Sequence, residues 1–199
     1  WLARVPETLS GQPRANMVLL RGFATLPDWP LFPDVFRMRA LAMAAYPMYR
    51  GVARLVGMDA MAVDDDPAAL LPALEARIDD YDFFFLHVKG TDKAGEDGDF
   101  RRKVDIIERV DEVLPALRET GIGVTLITGD HSTPAKMKSH SWHPVPFLLH
   151  GGPGRGHRSE GTAGLGESEC ARGALGTIRG CELMPLAAAR AGRLGKYGA

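Results

Sequence analysis

The chain has 199 residues, 45% of them hydrophobic, 25% charged and 8% aromatic, a composition that excludes fibrous, disordered and disulfide-framework proteins. Its 24 basic and 25 acidic residues leave a formal charge of −1, so it lacks the one-sided field of a general nucleic-acid or membrane-surface binder. Two cysteines, Cys170 and Cys181, are too few to staple a chain of this size and fit a reducing compartment, and no apolar run approaches the ~20 residues that span a bilayer. The sequence opens Trp1-Leu2-Ala3-Arg4 without an initiator methionine, so that either an upstream segment has been removed or these residues are part of a longer chain.

The apolar run from Met17 to Arg21, ended by Gly22, predicts a strand, and Pro27, Pro30 and Pro33 predict a loop after it. Apolar residues at helical spacings from Asp34 to Val56 predict two short helices divided by Pro47. Asp64, Asp65 and Asp66 ahead of Pro67 give an acidic start to a helix carrying Leu70, Leu71, Leu74 and Ile78. The unbroken run Phe83-Phe84-Phe85-Leu86-His87-Val88 is typical of a strand buried on both faces. A Gly- and Asp-rich loop is expected from Lys89 to Asp99. An amphipathic helix from Phe100 to Thr120 follows, with Val104, Ile107, Val110, Leu114 and Leu117 on one stripe and Gly121 closing it. Gly123 to Thr128 and Val145 to His150 read as two more strands. This alternation predicts an α/β fold with a mainly parallel sheet between helices, and in such sheets chemistry collects at the carboxyl ends of strands. The glycine-rich stretch from Gly151 to Gly166 lacks the phosphate-loop pattern, having His157 and Arg158 where the lysine and hydroxyl belong, and reads as a surface loop. The segment from Cys181 to Tyr197 predicts a helix on the sheet edge.

Ligand-type residues follow the two clearest strands. One group is Lys89-Gly90-Thr91-Asp92 with Glu96; the other is Gly129-Asp130-His131-Ser132-Thr133-Pro134, continued by His140-Ser141-Trp142-His143-Pro144-Val145-Pro146. Carboxylates and imidazoles without thiolates suit Mn²⁺, Mg²⁺ or Zn²⁺ in a site unlike a structural cysteine-zinc centre. His87, embedded in an apolar strand, reads as a satisfied core histidine, and the recurrent methionines of the front third read as core filling.

These runs, together with Leu86-His87-Val88-Lys89-Gly90-Thr91-Asp92, Ile107-Glu108-Arg109-Val110-Asp111, Arg14-Ala15-Asn16-Met17 through Gly22, Gly173-Ala174-Leu175-Gly176 and Lys196-Tyr197-Gly198-Ala199, resemble the cofactor-independent phosphoglycerate mutases of the archaeal type, within the alkaline phosphatase superfamily. The resemblance spans nearly the whole chain in family order. It implies an alkaline-phosphatase-like three-layer core, of which these residues are the carboxyl-terminal portion. Residues 1–60 then form the end of an inserted substrate-closing domain and its connection, and residues 61–199 the carboxyl-terminal half of the metal-binding core. It further implies a cytoplasmic glycolytic enzyme that interconverts 3-phosphoglycerate and 2-phosphoglycerate through a phosphoserine, using two divalent metal ions, Mn or Mg in preference to Zn, and needing neither nucleic acid nor membrane.

Carried over by position, Asp130 and His131 resemble ligands of the metal that activates the serine. Asp92 and His140 resemble ligands of a second metal that holds substrate. Where the family has a histidine four residues after that aspartate this chain has Glu96, a carboxylate able to ligate the same hard ion. Arg14, Arg21 and Lys89 are the candidates for gripping the substrate's carboxylate and phosphate, and His143 for orienting His140 through a hydrogen bond. The family's serine nucleophile context is not among these residues, and neither Ser10 nor Ser132 stands in it, so the expectation is that this chain alone does not form the phosphoserine. Two other readings stay open: another phosphatase or sugar-phosphate mutase of the superfamily, and a non-catalytic metal-binding half-domain.

Overall fold

The computed structural model describes residues 1–152 and 163–194. After a short amino-terminal helix, α1 (Val5–Leu9), the chain runs extended to α2 (Phe32–Phe36) and enters β1 (Ala40–Ala44). There follow α3 (Pro47–Leu55), β2 (Asp59–Met61), α4 (Pro67–Glu75), β3 (Phe83–His87), α5 (Gly90–Asp97), α6 (Phe100–Glu119), β4 (Val124–Thr128), β5 (Phe147–Gly151), α7 (Glu167–Cys170) and α8 (Leu183–Arg190).

The fold is α/β with a parallel sheet between helices. β1 is its middle strand, parallel to β2 from Leu41 opposite Asp59, and parallel to β3 from Ala40 opposite Phe83 through Ala44 opposite His87. All five β1 residues are buried. Leu41 and Met43 face α4 and α6, packing with Leu70, Leu74 and Leu117 and against Phe84, Leu86 and Leu114. Ala40 lies on the other face with Phe32 of α2, Phe83 and Ala188 of α8. Helices thus cover both faces, as a parallel ladder requires. β4 pairs antiparallel with β5, Val124 opposite Gly151 and Thr128 opposite Phe147, in a second sheet that is not joined to the first among the described residues.

Side-chain caps mark two helix starts. Asp66 accepts from the Ala68 N–H at 3.0 Å ahead of Pro67, and Asp99 accepts from the Arg102 N–H at 3.0 Å. Gly98, at φ 76°, takes the left-handed conformation that lets the chain turn from α5 straight into α6.

Several expectations are corrected. Met17 to Arg21 form no strand: the segment is extended and exposed without ladder partners among the described residues. The stretch from Asp34 to Val56 holds a strand, β1, between two helices, and Pro47 begins the second helix instead of dividing two. β3 is half-buried rather than fully enclosed, with Phe85 39% exposed. Residues 90–97 are a helix, not a loop. On α6 the inward stripe passes through Ile106, while Ile107 points outward. The central part of the glycine-rich stretch, residues 153–162 with His157 and Arg158, and residues 195–199, which include the end of the last expected helix, lie outside the described residues.

Candidate metal centre

β3 and β4 both deliver their carboxyl ends to one place. α5 begins three residues after β3 and, being a helix, sets Asp92 and Glu96 one turn apart on the same face. Beyond β4 the chain turns through Asp130 and His131. A bridge between Ser132 and Ser141, with the Ser141 N–H donating to the Ser132 carbonyl at 2.9 Å, folds the following segment back so that His140 returns beside His131. The two imidazoles lie with centroids 3.8 Å apart.

The five ligand candidates therefore converge. Donor atoms of Asp92, His131 and His140 all lie within 4.8 Å of one another. His140 Nε2 is 3.5 Å from Asp92 Oδ1 and 3.6 Å from Glu96 Oε1, while His131 Nε2 is 3.3 Å from Asp130 Oδ2. Ligands about 2.1 Å from a common ion stand roughly 3–4 Å apart, so small side-chain shifts would let neighbouring members of this set share a cation. The donors, three carboxylates and two imidazoles without a thiolate, fit a hard or borderline divalent ion.

Two residues not singled out from the sequence organise these ligands. Thr133, 3% exposed, donates its hydroxyl to Asp92 Oδ1 at 2.6 Å and lies 3.1 Å from His131 Nδ1. Its single proton is spent on Asp92, so its remaining role toward His131 is to accept from Nδ1–H, which turns Nε2 toward Asp130. Lys103 donates to the Thr133 carbonyl at 2.6 Å and fixes the same segment to α6. The second residue is Tyr49 of α3, whose hydroxyl donates to Asp130 Oδ2 at 3.3 Å. Thr133 sits inside a motif already noticed for its neighbours, whereas nothing local marks Tyr49.

Charge balance shapes the site. Burial favours protonation of Asp92, but hydrogen bonds from Lys89 and Thr133 outweigh it and hold the carboxylate below its ordinary range. Lys89 behaves reciprocally: burial pulls its pKa down, and its contact with Asp92 more than restores it. The Tyr49 hydroxyl is raised by burial and then by the Asp130 charge. Burial lowers the pKa of His87, whose buried Nδ1 has no partner among the described residues, so the expected satisfied core histidine has one ring nitrogen unpaired there.

The substrate-binding candidates separate. Lys89 stands at the cluster with its ammonium on Asp92. Arg14 and Arg21 lie on the exposed amino-terminal segment, and among the described residues no hydrogen bond or ion pair ties them to the cluster. His143 does not orient His140: its Nδ1 is 2.9 Å from Ser141 Oγ and its ring stacks on Trp142.

Fold and site together define an α/β protein with a carboxylate–imidazole cluster at its strand ends that could hold a metal ion. The sequence profile of the Metalloenzyme superfamily matches residues 10–190, and the chain belongs to that superfamily. A protein of Thermotoga petrophila named "Probable 2,3-bisphosphoglycerate-independent phosphoglycerate mutase" is 48% identical over 198 residues, 100% of this chain and 49% of that protein. A protein of the same name from Deinococcus radiodurans is 46% identical over 202 residues, 100% of this chain and 48% of its own length. The chain thus spans about half the length of the curated relatives it matches. Among solved structures, a protein from Pyrococcus horikoshii superposes with a TM-score of 0.82 at 36% identity, covering 90% of this chain and 57% of the other. The cofactor-independent phosphoglycerate mutase from Thermoplasma acidophilum shares the fold at 22% identity, with a TM-score of 0.62 over 96% of this chain and 49% of its own.

Proposed function

We propose that these residues supply the metal-binding part of a phosphoglycerate mutase that interconverts 3-phosphoglycerate and 2-phosphoglycerate through a phosphoserine, in the cytoplasm. The observation that carries this reading is the convergence of Asp92, Glu96, Asp130, His131 and His140 at the ends of β3 and β4, in a chain whose relatives bear that name over half their length. The family resemblance implies two ions, and in this reading Asp130 and His131 hold one and Asp92, His140 and Glu96 the other, the His131 and His140 rings 3.8 Å apart placing the two sets side by side, with Mn²⁺ or Mg²⁺ favoured by the carboxylate majority. Such ions lower the pKa of a serine hydroxyl and neutralise phosphoryl charge during in-line transfer.

The chain's own groups would then divide the work. Thr133 keeps His131 in the tautomer that presents Nε2. Lys89 balances Asp92 and stands ready for a substrate oxyanion once a cation takes over that role. Arg14 and Arg21 reach substrate only if the exposed segment closes over the site. The serine itself would come from outside these 199 residues. Within this reading the substrate-closing domain contributes only the segment ahead of α2, because β1, which precedes residue 60, is the middle strand of the core sheet.

The test mixes this chain with the complementary half of the Thermotoga petrophila relative. Restored conversion of 3-phosphoglycerate, lost on chelation and on Asp130→Asn substitution, is the expected result. Mutase or phosphatase turnover by this chain alone would overturn the proposal.

A further inference from the structure

We propose that Tyr49 is a positioning residue for the metal centre, holding the carboxylate of Asp130 from helix α3. The proposal rests on the reading of Asp130 as a metal ligand. The Asp130 side chain is 59% exposed, and its Oδ1 has only a local bond, from the His131 N–H at 3.0 Å. The other oxygen, Oδ2, faces both His131 Nε2 at 3.3 Å and the Tyr49 hydroxyl at 3.3 Å. A donor on one side of a carboxylate oxygen fixes its rotation and directs a remaining lone pair toward the cation. Tyr49 is the one long-range partner of Asp130 among the described residues, 81 positions away in sequence.

Tyr49 is itself held from two strands. Its ring stacks on His87, the last residue of β3, with centroids 3.8 Å apart and planes inclined by 30°. The His87 Nδ1 makes no hydrogen bond among the described residues, and what this imidazole gives Tyr49 is its face. The next residue, Arg50, donates to the Ala44 carbonyl at 2.7 Å and to that of Ala45, pinning the first turn of α3 to the end of β1. A rigid aromatic seat of this kind delivers a hydroxyl with little loss of side-chain freedom, and through it the end of the parallel sheet meets the loop after β4.

The experiment titrates the intact protein with Mn²⁺ by calorimetry and with Co²⁺ by visible absorption. Tyr49→Phe keeps the ring and removes one oxygen. Its dissociation constant for Mn²⁺ rises about tenfold, its Co²⁺ spectrum changes, and the melting temperature of the metal-free protein stays where it was. Combined with Asp130→Asn, the Tyr49→Phe change adds no further loss of affinity, because the group it positions is gone. His87→Phe, which retains a stacking face, binds Mn²⁺ as the wild type does. Unchanged Mn²⁺ binding by Tyr49→Phe, or a full additional loss on top of Asp130→Asn, overturns the assignment of Tyr49 alone. Absence of divalent-ion binding by the wild type overturns the metal-centre reading as well.

Discussion

Thr133 donates its hydroxyl to Asp92 across 2.6 Å and so joins the helix after β3 to the loop after β4, two parts of the chain whose strands do not pair. Because one hydroxyl serves both Asp92 and His131, its loss reaches two candidate ligands at once. Thr133→Val takes the donor from Asp92 Oδ1, leaving Lys89 on the other oxygen, and removes the hydroxyl beside His131 Nδ1. Affinity for Mn²⁺ falls at least about tenfold and the fold loses about 1–2 kcal/mol, whereas Thr133→Ser keeps most of both. Calorimetric titration and chemical unfolding of the two variants check this.

Gly95 is required on α5 because a Cβ there would lie 2.3 Å from the Thr133 carbonyl oxygen and 2.9 Å from its methyl group. Backbone cannot yield as a flexible side chain can. Gly95→Ala is expected to cost about 1–3 kcal/mol and to weaken metal binding by displacing Thr133. Thermal unfolding with and without Mn²⁺ separates the two losses.

Glu96 brings a carboxylate to within 3.6 Å of His140. Glu96→His exchanges a hard oxygen for a borderline nitrogen, so the preference of the site should move toward Zn²⁺ over Mn²⁺. Competition between the two ions, read as metal content after dialysis, shows the shift.

At the opposite pole, Asp82 accepts from the Arg39 N–H at 3.0 Å, from Arg39 Nε at 3.1 Å and from Arg193 at 3.2 Å, tying β1, β3 and the end of α8. The Arg39 side chain and backbone lower its pKa to about 2. A depressed carboxylate stabilises the fold fully above the unfolded value of ~3.9 and loses that contribution as pH falls through its folded value. Asp82→Asn should therefore lower stability at neutral pH and flatten the loss between about pH 4 and pH 2. Urea unfolding across that window measures it.

The sequence carried the helices α4 and α6, the strands β3, β4 and β5 and the five carboxylate and imidazole residues that converge, because long apolar periodicities and a dense motif are local signals. It misled where tertiary contact overrode local preference. Ala40-Leu41-Ala42-Met43-Ala44 is composed of helix formers, yet it becomes the buried middle strand because small residues let ladders form on both sides and helices pack on both faces. Residues 90–97 carry two glycines and read as a loop. They form a helix because Gly90 and Gly95 admit the close approach of Ile106 and Thr133. Met17 to Arg21 have a strand's composition but no partner among the described residues. Tyr49 left no local trace, since its partner Asp130 is 81 residues distant.

The central claim is that Asp92, His131 and His140 belong to one divalent-cation centre. Titration of the intact protein with Mn²⁺, beside Asp92→Asn, His131→Ala and His140→Ala variants of unchanged metal-free melting temperature, tests it most directly. Saturable binding by the wild type that each substitution weakens is the predicted result. Binding that survives undiminished in all three would contradict it.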